Sequence, residues 1–133
     1  MGYRSDVAIV IENEAFQGLL KKAKAECTDA FDFIQEASVY RTDKFSTLYF
    51  DSVKWYEDYE DVKFIESFIS DIPHVFKRIG EDYDDIDSRE VDVMDYDMYD
   101  CARIVRCLDI ESAGEKITID EEDKADVFER QAV

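Results

Sequence analysis

Ten carboxylates fall within twenty residues, at Glu81, Asp82, Asp84, Asp85, Asp87, Glu90, Asp92, Asp95, Asp97 and Asp100, against the single basic Arg89, a local net charge of −9. Side chains of this type at this density have three chemical uses. They coordinate a hard cation through oxygen, they exchange protons as an acid–base pair, or they hold a negative field against a basic partner. Tyr83, Ile86, Val91, Val93, Met94, Tyr96, Met98 and Tyr99 are interleaved with the acids. Apolar residues in those places can anchor the segment on a core while the carboxylates point outward, which separates it from a disordered acidic tail.

The first two uses find little support in spacing. A calcium-binding helix–loop–helix needs oxygen ligands at loop positions 1, 3 and 5, glycine at 6 and glutamate at 12. Counting from Asp82 places Ile86 at position 5 and Val93 at 12, and counting from Asp85 places Arg89 at 5. Cys101 and Cys107 stand six apart without a Cys-x-x-Cys or paired histidines, so reduced buried thiols are expected, together with Cys27, rather than a zinc site. The one histidine, His74, follows Pro73 and reads as a loop or strand-start residue. No nucleophile elbow, glycine-rich phosphate loop or His-Glu-x-x-His occurs. With so many acids, some pair at glycosidase spacing arises by chance. The sequence therefore predicts no enzyme, no metal and no cofactor.

The third use fits the charge of the whole chain. Its 133 residues carry 34 acids against 16 basic residues, a net of −18. The imbalance is uneven: residues 1–24 are slightly basic and 111–126 form a second acidic block of net −5. Such a balance disfavours direct contact with nucleic acid or an anionic membrane, both of which recruit Lys and Arg. It favours a basic protein surface. On a strand, residues two apart share a face at about 6.6–6.8 Å, so Asp85/Asp87, Glu90/Asp92 and Asp95/Asp97 would form ranks. Duplex DNA presents about one charge per 1.7 Å of axis, and several ranks on one surface would approach that density. The alternative is an acidic face that serves solubility alone. Trp55 and Tyr56 offer a second contact, since such aromatics concentrate in interface hot spots, although they also commonly cap a sheet and packing in the core is the favoured reading.

The elements that must position these residues follow from periodicity. Tyr3 to Glu12 contains Val-Ala-Ile-Val-Ile, a buried central strand. Asn13 is a candidate N-cap for an amphipathic helix to Glu26, with Phe16, Leu19, Leu20 and Ala23 inside. Ala37–Arg41 and Thr47–Val53 form a hairpin around Thr42-Asp43-Lys44. A second helix begins among Glu57–Asp61, buries Val62, Ile65, Phe68, Ile69 and Ile72, and stops at Pro73. Val75–Ile79, Glu90–Met94 and Ala102–Ile110 read as strands, with a short edge strand within 116–126. The predicted class is α+β, β-α-β-β-α-β-β-β: a ferredoxin-like core, with a mixed or antiparallel sheet and two helices on one face, plus extra strands. One domain over 1–112 is expected, followed by an acidic extension over 113–133 that holds the edge strand and then a flexible tail. The opening Met-Gly-Tyr-Arg-Ser-Asp lacks a basic and then apolar leader, and the apolar run Val7–Ile11 is too short for a bilayer, so a cytoplasmic location is expected.

Gly2-Tyr3-Arg4-Ser5-Asp6-Val7, Val53-Lys54-Trp55-Tyr56 with Asp61-Val62, and Arg78-Ile79-Gly80-Glu81-Asp82 resemble a group of small acidic phage and prophage proteins, mostly of unassigned function. The likeness runs over roughly residues 2–110 and contains no catalytic signature. It implies a class-level similarity to acidic anti-defence proteins (anti-CRISPR and anti-restriction inhibitors), several of which imitate DNA. The function expected is a non-enzymatic inhibitor of a host nucleic-acid-binding defence protein, acting in the host cytoplasm through an acidic DNA-mimic surface. The alternative is an interaction or assembly module, as a homodimer, using an aromatic patch or a sheet edge.

Overall fold

A computed structural model of the chain describes residues 2–104 and 108–119. The β-branched opening segment forms β1 (Ser5–Glu12), the central strand of a six-stranded antiparallel sheet. It is followed by helices α1 (Asn13–Glu26) and α2 (Thr28–Glu36), the hairpin β2 (Ser38–Arg41) and β3 (Phe45–Val53), helix α3 (Glu60–Ile69), then β4 (His74–Gly80) and β5 (Ile86–Val91). A four-residue helix α4 (Asp97–Asp100), the short ribbon β6 (Arg103–Ile104) and β7 (Leu108–Asp109), a 3-10 turn and β8 (Glu115–Ile117) complete the described chain. The sheet runs β5-β4-β1-β3-β2-β8 with every neighbouring pair antiparallel. This is an α+β architecture.

Alternation along β1 builds two cores. Val7, Ile9 and Ile11 point to the helical side, where Phe16, Leu19, Leu20, Ile34, Val62, Ile65 and Ile69 meet Leu48, Phe50 and Phe76 of the sheet. Ala8 and Val10 point the other way, with Phe45 and Val75, and are covered by Met98, Cys101, Ala102 and Ala113. The chain after β5 thus leaves one edge of the sheet, crosses its second face as a strap, and joins the opposite edge as β8 beside β2. Small side chains at Ala8, Ala102 and Ala113 let the strap lie close.

Several sequence expectations change. Three helices, not two, cover the helical face: α2 begins one residue after α1, at a break where Cys27 is extended. Asn13 opens α1 without capping it; its amide donates to the Thr42 and Asp43 carbonyls and its Oδ1 accepts from Ser46 Oγ, so it fastens the β2–β3 turn. The strand expected over Glu90–Met94 is shifted to Ile86–Val91, because Asp92 adopts a left-handed φ of 52° and ends it. Of the strand expected over Ala102–Ile110, the described residues show the two-residue pairing of Arg103–Ile104 with Leu108–Asp109, and 105–107 lie outside the described residues. Within the expected 113–133 extension, Ala113 is fully buried and Glu115–Ile117 pairs with β2, so the folded unit continues past 112. The remainder of that extension beyond Ile119, and Cys107, lie outside the described residues.

Candidate functional site

The ten carboxylates of 81–100 do not stand in ranks on one strand. Glu81, Asp82 and Asp84 occupy the β4–β5 turn, Asp87 and Glu90 lie on opposite faces of β5, and Asp95, Asp97 and Asp100 belong to the strap. Half of them are tied to cations. Asp85 meets Arg78 through Nη2 at 2.6 Å and Nη1 at 3.2 Å, and accepts the Tyr3 hydroxyl at 2.5 Å. Glu90 pairs with Lys77. Asp95 and Asp97 share Lys44 at 3.0 and 3.2 Å, while Asp87 stands 4.0 Å from Arg89 Nε. Glu81 accepts the Arg4 backbone N–H at 2.6 Å. Of the expected ranks, Glu90/Asp92 is broken where the strand ends at Val91, and Asp95/Asp97 is a two-toothed clamp on Lys44.

These bonds set the protonation chemistry. The Arg78 guanidinium, then the Tyr3 hydroxyl, hold the Asp85 carboxyl below its ordinary range. Lys77 does the same for Glu90. At Asp95 the Asp97 backbone N–H acts first and Lys44 second, and at Asp109 the Glu111 N–H acts first and Arg103 second. The Tyr3 phenol is raised: the Asp82 N–H donated to its oxygen pulls downward, but the bond to the Asp85 carboxylate, desolvation and the nearby Asp85 and Asp82 charges together outweigh it. A carboxylate stabilised in its charged form is a poor proton donor at neutral pH and a good fixed charge.

Trp55 is not an exposed anchor. It is 8% exposed and packs among Phe33, Phe50 and Phe76 with ring centroids 5.5–6.0 Å away. Tyr56 is half-buried, accepts the Tyr3 backbone N–H at its hydroxyl oxygen at 2.6 Å, and meets the exposed Tyr59 edge-on at 4.9 Å.

The fold brings these residues to a larger acidic surface that the sequence did not single out. One cleft of about 530 Å³ lies between α2 and the start of α3, lined by Asp29, Asp32, Phe33, Glu36, Asp58, Tyr59, Glu60 and Asp61. None of these is basic. A second, of about 570 Å³, is lined by Tyr3, Trp55, Tyr56, Glu57, Asp58, Glu66, Arg78, Asp85 and Asp87. Asp58 borders both. The two clefts thus share a wall and gather ten carboxylates around five aromatic rings, with Arg78 as the one cation, itself held by Asp85. Only Asp85 and Asp87 of the 81–100 cluster take part. The missed signal was the spacing Asp29, Asp32, Glu36 on a helix opposite Ala30, Phe31 and Ile34.

Among the described residues no group of three or more His, Cys, Asp or Glu is placed to hold a metal ion. His74 is buried, with Nδ1 2.9 Å from the Ile72 carbonyl, and lines neither cleft. Cys101 is buried, and burial raises its thiol pKa. No described helix is long and apolar enough to cross a membrane. No family model, curated protein or solved structure matches the chain.

Proposed function

We propose that this protein is a non-enzymatic binding protein whose double acidic cleft occupies a basic, nucleic-acid-binding surface of another protein. The observation that carries this reading is the continuity of the two clefts through Asp58, with ten carboxylates and one already-paired cation. A purely solubilising surface has no need to gather like charges, since spacing them relieves their repulsion. Aromatic rings between the acids suit guanidinium and ammonium groups, which pair with carboxylates and stack on ring faces. The downward displacement of the Asp85 carboxyl supports a fixed field rather than proton transfer. The ferredoxin-like assignment rests on the inner strand order β4-β1-β3-β2 with helices between β1 and β2 and between β3 and β4. The phage anti-defence setting, with a host cytoplasmic target, rests on the resemblance of residues 2–7, 53–56 and 78–82.

The test is capture from a bacterial lysate at low salt on the immobilised protein, with elution by duplex DNA and by a salt gradient. A partner released by DNA, and no longer captured when Asp32, Glu36 and Asp58 are changed to Lys, is the expected result. Capture that survives those three changes, or that DNA does not displace, overturns the reading. Reversing Asp85 and Glu90 is a poorer probe, because each holds a cation of the fold.

A further inference from the structure

The open edge of the sheet carries a self-complementary pattern. β5 is the terminal strand; on its outer side the Ile86 N–H is donated to the Asp84 carbonyl at 3.0 Å, and no described backbone group bonds Ser88 or Glu90 there. The Gly80 N–H donates to the Asp85 carbonyl, and Arg78, Phe76 and His74 stand opposite Asp87, Arg89 and Val91. Because bonded and non-bonded pairs alternate in an antiparallel ladder, Asp87, Arg89 and Val91 turn their backbone groups to β4. Ile86, Ser88 and Glu90 turn theirs outward, and all three are exposed.

We infer that β5 is the docking strand for a second copy of this chain, joined antiparallel about a two-fold axis at Ser88. Outward-facing residues must pair with outward-facing residues, which leaves three compact registers. Centring on Arg89 sets two guanidinium groups face to face, and centring on Asp87 sets two carboxylates face to face. Centring on Ser88 places Asp87 opposite the partner copy's Arg89, twice, in the non-bonded positions where side chains approach most closely. Ile86, 50% exposed, then lies against the aliphatic stem of the other copy's Glu90. Arg89 is suited to the second carboxylate: its side chain is 37% exposed, its hydrogen bonding among the described residues is Nη2 to Glu66, and its ion pair with the chain's own Asp87 is long, at 4.0 Å from Nε. The net charge opposes association at long range, but screening over about 8 Å at physiological salt confines that opposition. The axis is perpendicular to the sheet, so both helical layers and both acidic clefts, which Asp87 borders, fall on one side.

Sedimentation at physiological salt is expected to give a concentration-dependent dimer. Ser88→Pro removes an outward N–H that β4 does not use and should leave a folded monomer. Asp87→Arg should weaken association about tenfold or more, and the exchange Asp87→Arg with Arg89→Asp should restore it. Ser88→Cys should give a disulfide-linked dimer on oxidation, since a bonded antiparallel pair holds its Cα atoms about 5.5 Å apart, within disulfide reach. A wild-type monomer at every concentration, a dimer indifferent to Ser88→Pro and Asp87→Arg, or no cross-link from Ser88→Cys beyond that of wild type each overturns the inference.

Discussion

Tyr3, Arg78 and Asp85 form a bonded group that joins the chain's opening to the β4–β5 turn. Gly80 sits beneath it because a Cβ there would overlap both the Asp85 carboxylate and the Tyr3 hydroxyl. Removing the Asp85 charge as Asp85→Asn leaves Arg78 half-buried without its partner. The expected loss is about 1 kcal/mol, discounted from that of a buried charged pair because a third of the Asp85 side chain faces solvent. Its pH dependence has a definite sign. The folded state lowers the Asp85 pKa from the ordinary 3.8, so the contribution is complete above that value and is lost as pH falls through the depressed pKa. Urea midpoints should therefore separate wild type from Asp85→Asn fully at neutral pH and converge under strongly acidic conditions. A constant gap across that range would show that the carboxylate charge is not what the variant loses.

The strap is the element whose role sequence reading misjudged most. Its alternation suggested further strands, yet Met98, Cys101 and Ala102 act as a lid over Ala8, Val10, Phe45 and Val75. Met98 is 2% exposed, and Met98→Ala is expected to cost about 2–3 kcal/mol, read from chemical denaturation. A loss within 0.5 kcal/mol would mean that the strap does not seal this face. Long runs of one periodicity were legible: β1, α1, the β2–β3 hairpin, α3 and β4 all lie close to where apolar spacing places them. α2 was not, because nine residues with Phe31, Phe33 and Ile34 carry as much strand as helix character, and one extended residue separates them from α1. The strap was illegible for a different reason. Its short pieces are shaped by the face they cover rather than by local preference, as the left-handed Asp92 at its entry illustrates. The same limit applied to the site: density of charge along 81–100 was plain, whereas the meeting of Asp29, Asp32 and Glu36 with Asp58, Glu60 and Asp61 is a product of α2 packing beside α3.

For the molecule as a whole, the question is whether acidity is ballast for solubility or a surface held for a partner, and stability distinguishes the two. On α2, Asp32 and Glu36 are like charges four apart, and Glu36 sits at the helix C-terminus, where the macrodipole is negative. No basic residue stands in the last turn of α2 or of α3. Among the described residues no ion pair engages Asp32, Glu36 or Asp58. The Asp32/Glu36 repulsion and the placing of Glu36 at the negative end of α2 oppose folding, so Glu36→Gln should stabilise the protein by about 0.5 kcal/mol, and Asp32→Asn should act in the same direction. Added salt should likewise raise the urea midpoint of wild type, since screening relieves repulsion among 34 acids more than it weakens a few exposed pairs. For a surface kept only for solubility, the stabilised variants would lose nothing else. A surface kept for a basic partner instead trades stability for affinity: the neutralised variants should melt higher and bind more weakly, with a shallower dependence of binding on salt. Paired measurements of denaturation and of capture on the same two variants decide it. Higher stability with undiminished capture would remove the clefts from the binding surface and return the acidity to solubility.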